Sequence, residues 1–176
     1  MELTTERLLL REYAEEDLDN YFCLKSCAAV WRFSTFVPLL DRNDADKRLK
    51  DLIAMHKSNH SGFMALFIQQ GQQFIGEAGI ISENKKAGRC ELGYNLLPEY
   101  WNRGYATEIA GRLVRYALDE LGYERVEALV LAENKASCRV LEKNGFQCEG
   151  VLRHFSRYDG NFHNVCYYGI ISSDLH

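Results

Sequence analysis

The feature that most constrains the fold is the stretch Glu91–Leu121, where an apolar strand passes through a glycine-containing turn into an amphipathic helix. The turn holds Gly104 and Ala106. The helix after it carries five apolar residues at helical spacing: Ile109, Leu113, Tyr116, Ala117 and Leu121. Such a junction presents unpaired backbone N–H groups at a helix N-terminus, where phosphate groups bind. Because one Gly-x-Ala is a weak motif, an ordinary corner between a strand and a helix is the competing interpretation.

The totals indicate one domain of a soluble globular protein. A chain of 176 residues is long enough for a complete core, and 47% of it is apolar and 26% charged. A net charge of −4 argues against a general nucleic-acid binder, which would be basic. No apolar run approaches the ~20 residues that cross a bilayer, so no membrane association is expected. The N-terminus has no signal-peptide pattern, and we expect a cytoplasmic protein.

The six cysteines are expected to be reduced thiols buried in the core, because they form no Cys-x-x-Cys pair and lie in apolar periodic segments. They are Cys23, Cys27, Cys90, Cys138, Cys148 and Cys166. The first two lie four residues apart on one predicted helix face without a matching pair of histidines, so no zinc site is expected.

The first third of the chain predicts one strand and two helices. The strand is Arg7–Arg11, acidic residues at Glu15–Asp17 open the first helix, and Asn43–Asn59 is the second. The aromatic segment Val30–Leu40 between the helices is interpreted as packing in preference to the lining of a ligand pocket. His56 is interpreted as a half-exposed residue near a helix end and not as a catalytic base.

From residue 63 onward the pattern predicts a mostly antiparallel sheet. Three strands, Phe63–Gln69, Phe74–Ile81 and Arg89–Leu97, form an antiparallel meander. The helix Glu108–Leu121 then leads to the apolar strand Val126–Leu131. This strand–helix–strand unit places Val126–Leu131 parallel to Arg89–Leu97, through a right-handed crossover.

The chain closes with a helix and a hairpin. The helix opens at Ala132–Ser137 and stops at Gly145 in a left-handed conformation. The strands Phe146–Arg157 and Phe162–Ile171 form a hairpin around the turn Asp159–Asn161. With no repeat or linker, the chain is predicted to be a single α+β domain.

Several motifs in this order resemble the GCN5-related N-acetyltransferases. They are Leu-Gly-Tyr, Trp-x-x-Gly-Tyr-Ala-Thr-Glu, Asn-Lys-Ala-Ser-x-x-Val-Leu-Glu-Lys-Asn-Gly-Phe and Glu-Gly. The opening Thr-Glu-Arg-Leu-Leu-Leu-Arg is similar to the branch of ribosomal-protein N-terminal (alanine/serine) acetyltransferases, so the resemblance covers essentially the whole chain. It implies that family's α/β/α layered fold, in which a mixed, mostly antiparallel sheet contains a splayed parallel strand pair. It also implies acetyl-CoA as co-substrate, without a metal.

The resemblance assigns the glycine turn to the pyrophosphate of acetyl-CoA. The family pattern is Gln/Arg-x-x-Gly-x-Gly/Ala, and here Trp101 stands in place of the Gln or Arg. Backbone N–H groups of Arg103–Thr107 would form the cradle, and the Arg103 side chain would add a charged contact. Two leucines would pair with the pantetheine arm through their backbone, and an asparagine would meet the same arm, cap its helix, or do both. The implied cofactor-binding residues are Leu96, Leu97, Asn102, Arg103, Gly104, Tyr105, Ala106, Thr107 and Asn134.

Catalysis in this family is direct transfer of acetyl to an amine. A lysine-like amine titrates near ~10.4 and an α-amine near ~7.7–8.0, so an α-amine needs no strong base. Glu91 is the first candidate for the carboxylate that takes the proton and Glu77 the second, and the alternative for each is a solvated strand acid or an ion-pair partner. Many members have Tyr where Leu141 stands here, and the resemblance to this branch implies that Ser137 donates to the departing thiolate. Local capping is the alternative role of Ser137.

The acceptor stays open between a protein N-terminal α-amine, which the resemblance favours, and a small amine such as a polyamine, an antibiotic or an amino acid. Its groove is expected near Trp31, Phe36, the hairpin Phe63–Phe74 and the segment His154–His163, whose two histidines are interpreted as surface residues. An acyl-CoA-binding domain without transfer activity is the competing hypothesis. A homodimer through the terminal hairpin or the edge strands is a further hypothesis.

Overall fold

An eight-stranded sheet lies at the centre of the computed structural model, which describes residues 2–58 and 61–175. In chain order the strands are β1 (Glu2–Thr4), β2 (Leu8–Arg11), β3 (Met64–Ile68), β4 (Gln73–Asn84), β5 (Arg89–Leu96), β6 (Arg125–Leu131), β7 (Gln147–Tyr158) and β8 (Asn161–Ile171). Across the sheet they lie in the order β1-β2-β3-β4-β5-β6-β8-β7. Strands β5 and β6 pair in parallel, and the other neighbouring pairs are antiparallel.

Five α-helices accompany this sheet in the described residues. They are α1 (Leu18–Ser26), α2 (Ala28–Trp31), α3 (Arg42–Ser58), α4 (Tyr105–Arg115) and α5 (Lys135–Lys143). A π-helical turn, Tyr116–Glu120, extends α4. Helix α3 is the predicted second helix, whose expected last residue Asn59 lies outside the described residues. Among the helices of the described chain, none is both long and apolar enough to cross a membrane.

The connections confirm the predicted fold class. Strands β3, β4 and β5 form the antiparallel meander, and β7 and β8 form the terminal hairpin. Helix α4 links β5 to β6, which pair in parallel as the strand–helix–strand unit predicts. Gly145 ends the region of α5 with φ +85°, in the left-handed conformation that was expected of it.

The parallel pair separates after three residues. Arg89–Glu91 of β5 pair with Arg125–Glu127 of β6, and the register ends there. Beyond that point β5 stays paired with β4 as far as Leu96, whereas β6 stays paired with β8 as far as Leu131. Each strand keeps its antiparallel neighbour, so the two diverge and leave an opening in the sheet.

Helices α1 and α5 lie on opposite faces of the sheet at this opening. Consecutive strand residues point to opposite faces. Tyr94 contacts Ser137 of α5, whereas its neighbour Asn95 shares a face with Glu77, which contacts Lys25 of α1. The opening is therefore flanked by helices from both layers.

The glycine turn determines where α4 begins. Gly104 adopts φ +83° and precedes the first helical residue, Tyr105, so α4 starts three residues before the predicted Glu108. The apolar stripe of α4 packs on the sheet, and Ile109 and Leu113 are fully buried in the core. Packing of this stripe holds the N-terminus of α4 at the opening.

Two predictions about burial need correction. His56 is not half-exposed: it is buried, and its Nε2 lies 2.9 Å from the carbonyl oxygen of Phe63, because Gly62 and Phe63 pack against the end of α3. All six cysteines are free, but Cys23 and Cys148 are exposed. Cys23 lies on the outer side of α1, and Cys148 lies on β7, which is an edge strand of the sheet. Apolar periodicity did not distinguish these outer positions from core positions.

Candidate active site

A cavity of about 560 Å³ lies beside the end of β5, beyond the point where β5 diverges from β6. Its walls come from α2, the end of β5, the turn after β5, the start of α4 and one face of α5. Below, this cavity is called the cleft. In the aromatic segment after α1, Trp31 is buried and packs on Phe36, with ring centroids 4.3 Å apart and the rings tilted by 42°. Val30 and Phe33 of the same segment line the cleft. Packing and cavity lining thus both occur in that segment.

The turn before α4 presents a row of backbone donors to the cleft. The first N–H with an acceptor is that of Glu108, which donates to the carbonyl oxygen of Gly104 at 3.0 Å. Within residues 2–58 and 61–175, the N–H groups of residues 103–107 have no hydrogen-bond acceptor. Five free N–H groups at the positive end of a helix dipole form a site for an anion. This row matches the predicted cradle in position and in the groups that form it.

Arg7 holds this turn from the other side. Its Nη1 donates to the carbonyl oxygen of Arg103 at 3.1 Å, and its Nε donates to Glu108 at 2.6 Å. Thr5 donates to the same carboxylate at 2.5 Å. Burial alone would raise the pKa of Glu108, but the hydrogen bonds from Thr5 and Arg7 outweigh it and hold the pKa below its usual value. The charge of Glu108, one turn from the anion site, is thereby compensated.

The predicted cofactor residues divide into those that reach the cleft and those that do not. Asn102, Gly104, Tyr105, Ala106, Thr107, Leu96 and Asn134 line it. Leu97 does not, because its N–H donates to Ile75 of β4 at 2.9 Å. The side chain of Arg103 is exposed, and its guanidinium lies 5.8 Å from the ring centroid of Tyr100. Trp101, at the family's Gln or Arg position, donates its indole N–H to the carbonyl oxygen of Leu96 at 2.7 Å.

The start of α5 supplies two polar side chains to the cleft. Asn134 caps the helix, since its Oδ1 accepts a hydrogen bond from the N–H of Ser137 at 3.2 Å. Capping uses the oxygen, so the amide Nδ2 remains available to donate into the cleft. The hydroxyl of Ser137 lies 2.8 Å from the hydroxyl of Tyr94, and either group can be the donor. Ser137 is therefore not a local cap.

Tyr94 is a site residue that the sequence analysis did not assign. Burial raises its pKa above the usual value, and the hydrogen bond with Ser137 opposes this only in part. The phenol is therefore protonated at neutral pH and can donate. Its signal in the sequence was the Leu-Gly-Tyr motif, which served only to establish the resemblance.

Glu77 lies behind the cleft and not in its wall. The carboxylate is fully buried and accepts from Nζ of Lys25 at 2.7 Å and from Nδ2 of Asn95 at 2.9 Å. Tyr13 is a longer contact at 3.4 Å. Asn95 itself lines the cleft. The alternative role for Glu77, that of an ion-pair partner, is the one that its contacts show.

Glu91 lies in a second cavity of about 240 Å³, beside Glu127. Burial and the neighbouring Glu127 raise the pKa of Glu91. On the same face of β5, Gly93 lies between Glu91 and Asn95, and a Cβ atom there would be 3.1 Å from ring carbons of Phe63. The ring of Phe63 therefore covers the strand between the two residues. The structure does not bring Glu91 together with Ser137.

Basic side chains of the cleft were also missed. Arg32, just after α2, and Arg139 and Lys143 of α5 all line it. Among the described residues, no aspartate or glutamate lines this cavity. Arg139 and Lys143 lie four residues apart and so share one face of the helix. No group of three or more His, Cys, Asp or Glu side chains with a metal-binding arrangement occurs in the described part of the chain.

A sheet that splays at one parallel pair, with an anion-binding helix N-terminus at the splay, defines the acyl-CoA N-acyltransferase fold. Residues 7–147 match the family model of the acetyltransferase (GNAT) domain, and the chain belongs to this family of N-acetyltransferases. The uncharacterized N-acetyltransferase YoaA of Bacillus subtilis (strain 168) is 30% identical over 169 residues, which is 96% of each chain. The resemblance drawn from the motifs is thus confirmed.

Two solved structures show the same fold. RimL, a ribosomal L7/L12 α-N-protein acetyltransferase in complex with coenzyme A, superposes with a TM-score of 0.88 at 19% identity, covering 97% of this chain and 98% of RimL. The spermidine N-acetyltransferase of Vibrio cholerae, in complex with CoA and spermine, superposes with a TM-score of 0.85 at 22% identity, covering 98% of this chain and 100% of that chain. At these identities the likeness establishes the fold and leaves the acceptor of this chain open.

Proposed function

We propose that this chain transfers the acetyl group of acetyl-CoA to a protein N-terminal α-amine. The observation that supports acetyl-CoA as the acetyl donor is the row of free N–H groups at residues 103–107, which lies in the same cleft as the Tyr94–Ser137 pair. Coenzyme A is bound in the two solved structures of the same fold described above. When bound, acetyl-CoA would supply an acetyl group activated as a thioester.

The residues that would hold the donor fit its chemistry. The free N–H groups of residues 103–107 suit a diphosphate. Asn134 has an amide N–H₂ left to donate to an amide carbonyl, as its cap uses only the oxygen. Arg139 and Lys143 add positive charge to the wall of the cleft that faces these groups. An anionic, amide-containing donor therefore meets donors and cations along the cleft.

Ser137 and Tyr94 would act on the leaving sulfur. When Tyr94 donates its hydrogen bond to the Oγ of Ser137, the proton of Ser137 is free to point into the cleft. A serine hydroxyl is a poor acid, so its contribution is a positioned hydrogen bond to developing negative charge. The amine gives up one proton to water as the new amide forms, and the departing sulfur takes one up.

The charges of the cleft favour an α-amine over a polyamine. Arg139 and Lys143 lie on α5 and are assigned above to the donor, whereas Arg32 lies beside α2, and no carboxylate among the described residues lines the cleft. An acceptor with several ammonium groups would meet the charge of Arg32 and no carboxylate to pair with. An α-amine titrates near ~7.7–8.0, so a substantial fraction is neutral at pH 7.5 without a strong base. The absence of Glu91 and Glu77 from the described cleft wall is compatible with this acceptor.

The test is release of the coenzyme A thiol with a panel of acceptors. The panel holds hexapeptides that begin with free alanine or serine, the same peptides with a blocked N-terminus and one internal lysine, spermidine, and an aminoglycoside. We expect turnover with the free peptides, little with the blocked peptides, and a loss of turnover in Ser137→Ala. Turnover with spermidine or the aminoglycoside alone would replace the proposed acceptor. Calorimetric binding of coenzyme A without turnover on any acceptor would instead support a binding module.

A further inference from the structure

We propose that Asn95 binds the incoming amine through its side-chain oxygen, and that the buried pair Lys25–Glu77 positions Asn95 for this. The inference rests on the proposed function, because it concerns the acceptor of that transfer. It assigns to Glu77 an indirect role in place of the role of a base.

Glu77 accepts hydrogen bonds from two donors and forms a salt bridge with Lys25. Its Oε1 accepts from the ammonium of Lys25 at 2.7 Å and from the amide of Asn95 at 2.9 Å. Lys25 and Asn95 both present hydrogen-bond donors to Glu77. The two members of the ion pair are buried away from bulk water, since Glu77 is 0% exposed and Lys25 5%. A buried charge without its partner is strongly unfavourable, so the two charges are maintained together.

Aromatic rings enclose the ammonium of Lys25. Its Nζ lies 4.6 Å from the ring centroid of Trp31, 5.2 Å from that of Tyr21, and 5.3 Å from those of Phe36 and Phe63. Cation–π attraction is strongest where the cation is desolvated, as it is here. The rings come from α1, α2, the segment after α2 and the residue before β3, so the ion pair is fixed by several elements at once.

The ionised carboxylate determines which way the amide of Asn95 faces. An asparagine side chain carries two N–H donors on one side and an acceptor oxygen on the other. Because Glu77 can only accept, Asn95 turns its Nδ2 toward Glu77 and its Oδ1 away from it. Asn95 lines the cleft, and its Oδ1 has no donor partner within the described residues. A free carbonyl oxygen is the group that accepts a hydrogen bond from an amine N–H.

The position of Asn95 also places the incoming amine and the leaving sulfur on different sides of β5. Tyr94 and Asn95 are consecutive in β5, so their side chains point to opposite faces of the strand. Tyr94 contacts Ser137, the proposed partner of the leaving sulfur. Asn95 faces the side of α1 and α2, where Phe33 lines the cleft. An amine held by Asn95 would therefore not compete with the leaving group for the same hydrogen-bond donor.

The decisive variant is Asn95→Leu, which keeps the approximate size of the side chain and removes its oxygen. A hexapeptide with a free N-terminal alanine is titrated into enzyme saturated with coenzyme A, and kcat and KM are measured with acetyl-CoA. We expect the peptide Kd and KM to rise by about tenfold, the change given by one lost hydrogen bond to a polar group. The affinity for coenzyme A should stay within twofold. The matched control is Asn43→Leu, at an exposed position of α3, for which we expect the wild-type peptide Kd, peptide KM and affinity for coenzyme A.

The positioning role has its own test, which removes both buried charges together. In Lys25→Met/Glu77→Gln the side chain at position 77 can both donate and accept, so it no longer fixes the orientation of the Asn95 amide, and the peptide KM should rise in the same direction. Adding Asn95→Leu to this double variant should then raise KM by much less than tenfold, because the two changes remove one interaction. Full additivity would show that the ion pair supports only the fold.

The outcomes separate this inference from the proposed function. An unchanged peptide Kd in Asn95→Leu, or a parallel loss of coenzyme A affinity, would overturn the inference while wild-type turnover persisted. Where Asn95→Leu fails to fold, by circular dichroism, Asn95→Ala removes the same oxygen without adding apolar bulk, and the same criteria apply. Where the panel yields another acceptor, that acceptor replaces the peptide. No turnover with any acceptor would overturn the proposed function itself and this inference with it.

Discussion

The hydroxyl groups of Tyr94 and Ser137 lie 2.8 Å apart, although the two residues come from β5 and α5 and are separated by 43 positions in the chain. The contact crosses the opening that forms where β5 leaves β6, close to the free N–H groups of the turn before α4. It joins a tyrosine that burial keeps protonated to a serine in the first turn of α5.

Ser137→Ala should lower kcat and leave the affinity for coenzyme A unchanged, because the hydrogen bond to the leaving group strengthens only as charge develops. We expect a loss of roughly tenfold to a hundredfold, by analogy with the loss of one preorganised donor. Tyr94→Phe should lower kcat less, and the double variant should resemble Ser137→Ala, because Tyr94 acts through Ser137.

Steady-state kinetics with calorimetry of coenzyme A binding checks this prediction. The control is Tyr168→Phe, which removes a tyrosine hydroxyl bonded to Glu142 at 3.0 Å, away from the cleft lining. Additive losses in the double variant of Ser137 and Tyr94 would mean that the two hydroxyl groups act separately.

Gly104→Ala should weaken coenzyme A binding. Gly104 has φ +83°, and a Cβ atom there would lie 3.3 Å from Nη2 of Arg7, at the anion-binding turn. Gly160→Ala is the matched control: Gly160 has φ +84° in the terminal hairpin turn, and nothing lies within 4 Å of the added Cβ. Both variants should lose about 1 kcal/mol of stability from the left-handed conformation.

Only Gly104→Ala should raise the dissociation constant of coenzyme A, measured by calorimetry. We expect at least a tenfold rise, because the added Cβ atom would displace the backbone N–H groups of the turn from the phosphates. Thermal unfolding of both variants establishes that the strain is equal. Equal affinities for coenzyme A in the two variants would show that the turn does not contact the ligand.

Glu91→Gln should stabilise the protein at neutral pH and leave kcat within twofold of wild type. Burial and the charge of Glu127 raise the pKa of Glu91 in the folded state. When the pKa of a carboxyl is higher in the folded state than in the unfolded state, ionisation of that carboxyl destabilises the folded protein. The free energy of unfolding therefore falls as pH increases from the unfolded pKa, near ~4.3, through the higher folded pKa. Replacing it removes that loss, so the variant should be more stable than wild type at pH 7.5 and show little gain at pH 4.

Urea unfolding at the two pH values measures this difference. A large fall in kcat of Glu91→Gln across the pH range would restore Glu91 as the base and would require a path past the ring of Phe63. Glu6→Gln, at an exposed position near the N-terminus, controls for the general effect of removing one negative charge.

Glu108→Gln should show the opposite pH dependence. The hydrogen bonds from Thr5 and Arg7 hold the folded pKa of Glu108 below its usual value, against the effect of burial. Its stabilising contribution is present above the unfolded pKa near ~4.3 and is lost as pH falls through the lower folded value. The variant should therefore be less stable than wild type at pH 6, with the difference disappearing toward pH 3.

Unfolding in urea between pH 3 and pH 6 checks the sign, with Glu6→Gln again as the control. A constant difference across that range would mean that the Thr5–Arg7–Glu108 contacts contribute through packing and not through the ionised carboxylate. The affinity for coenzyme A at pH 7.5 provides a second reading, since the contacts hold the turn that carries the free N–H groups.

The local features of this protein could be predicted from the sequence. Gly104 between an apolar strand and an amphipathic helix predicted the turn with free N–H groups, and the alternation of apolar residues predicted the meander and the terminal hairpin. Asn134 was expected both as a cap and as a cleft residue, and it caps α5 and lines the cleft. These features depend on neighbours within a few positions, so the amino-acid order by itself determined them.

The composition of the site was decided by the tertiary structure. The divergence of β5 from β6 depends on their separate pairing with β4 and β8, and it brings Tyr94 to Ser137. Burial of Glu77 against Lys25 depends on α1 packing over the sheet, while the ring of Phe63 over Gly93 places Glu91 in another cavity. In the sequence, a glutamate of a strand has the same appearance whether it forms a buried ion pair, as Glu77 does, or lies in a separate cavity, as Glu91 does. Its environment depends on contacts between residues far apart in the chain, because burial and charge partners are set only when the layers pack together.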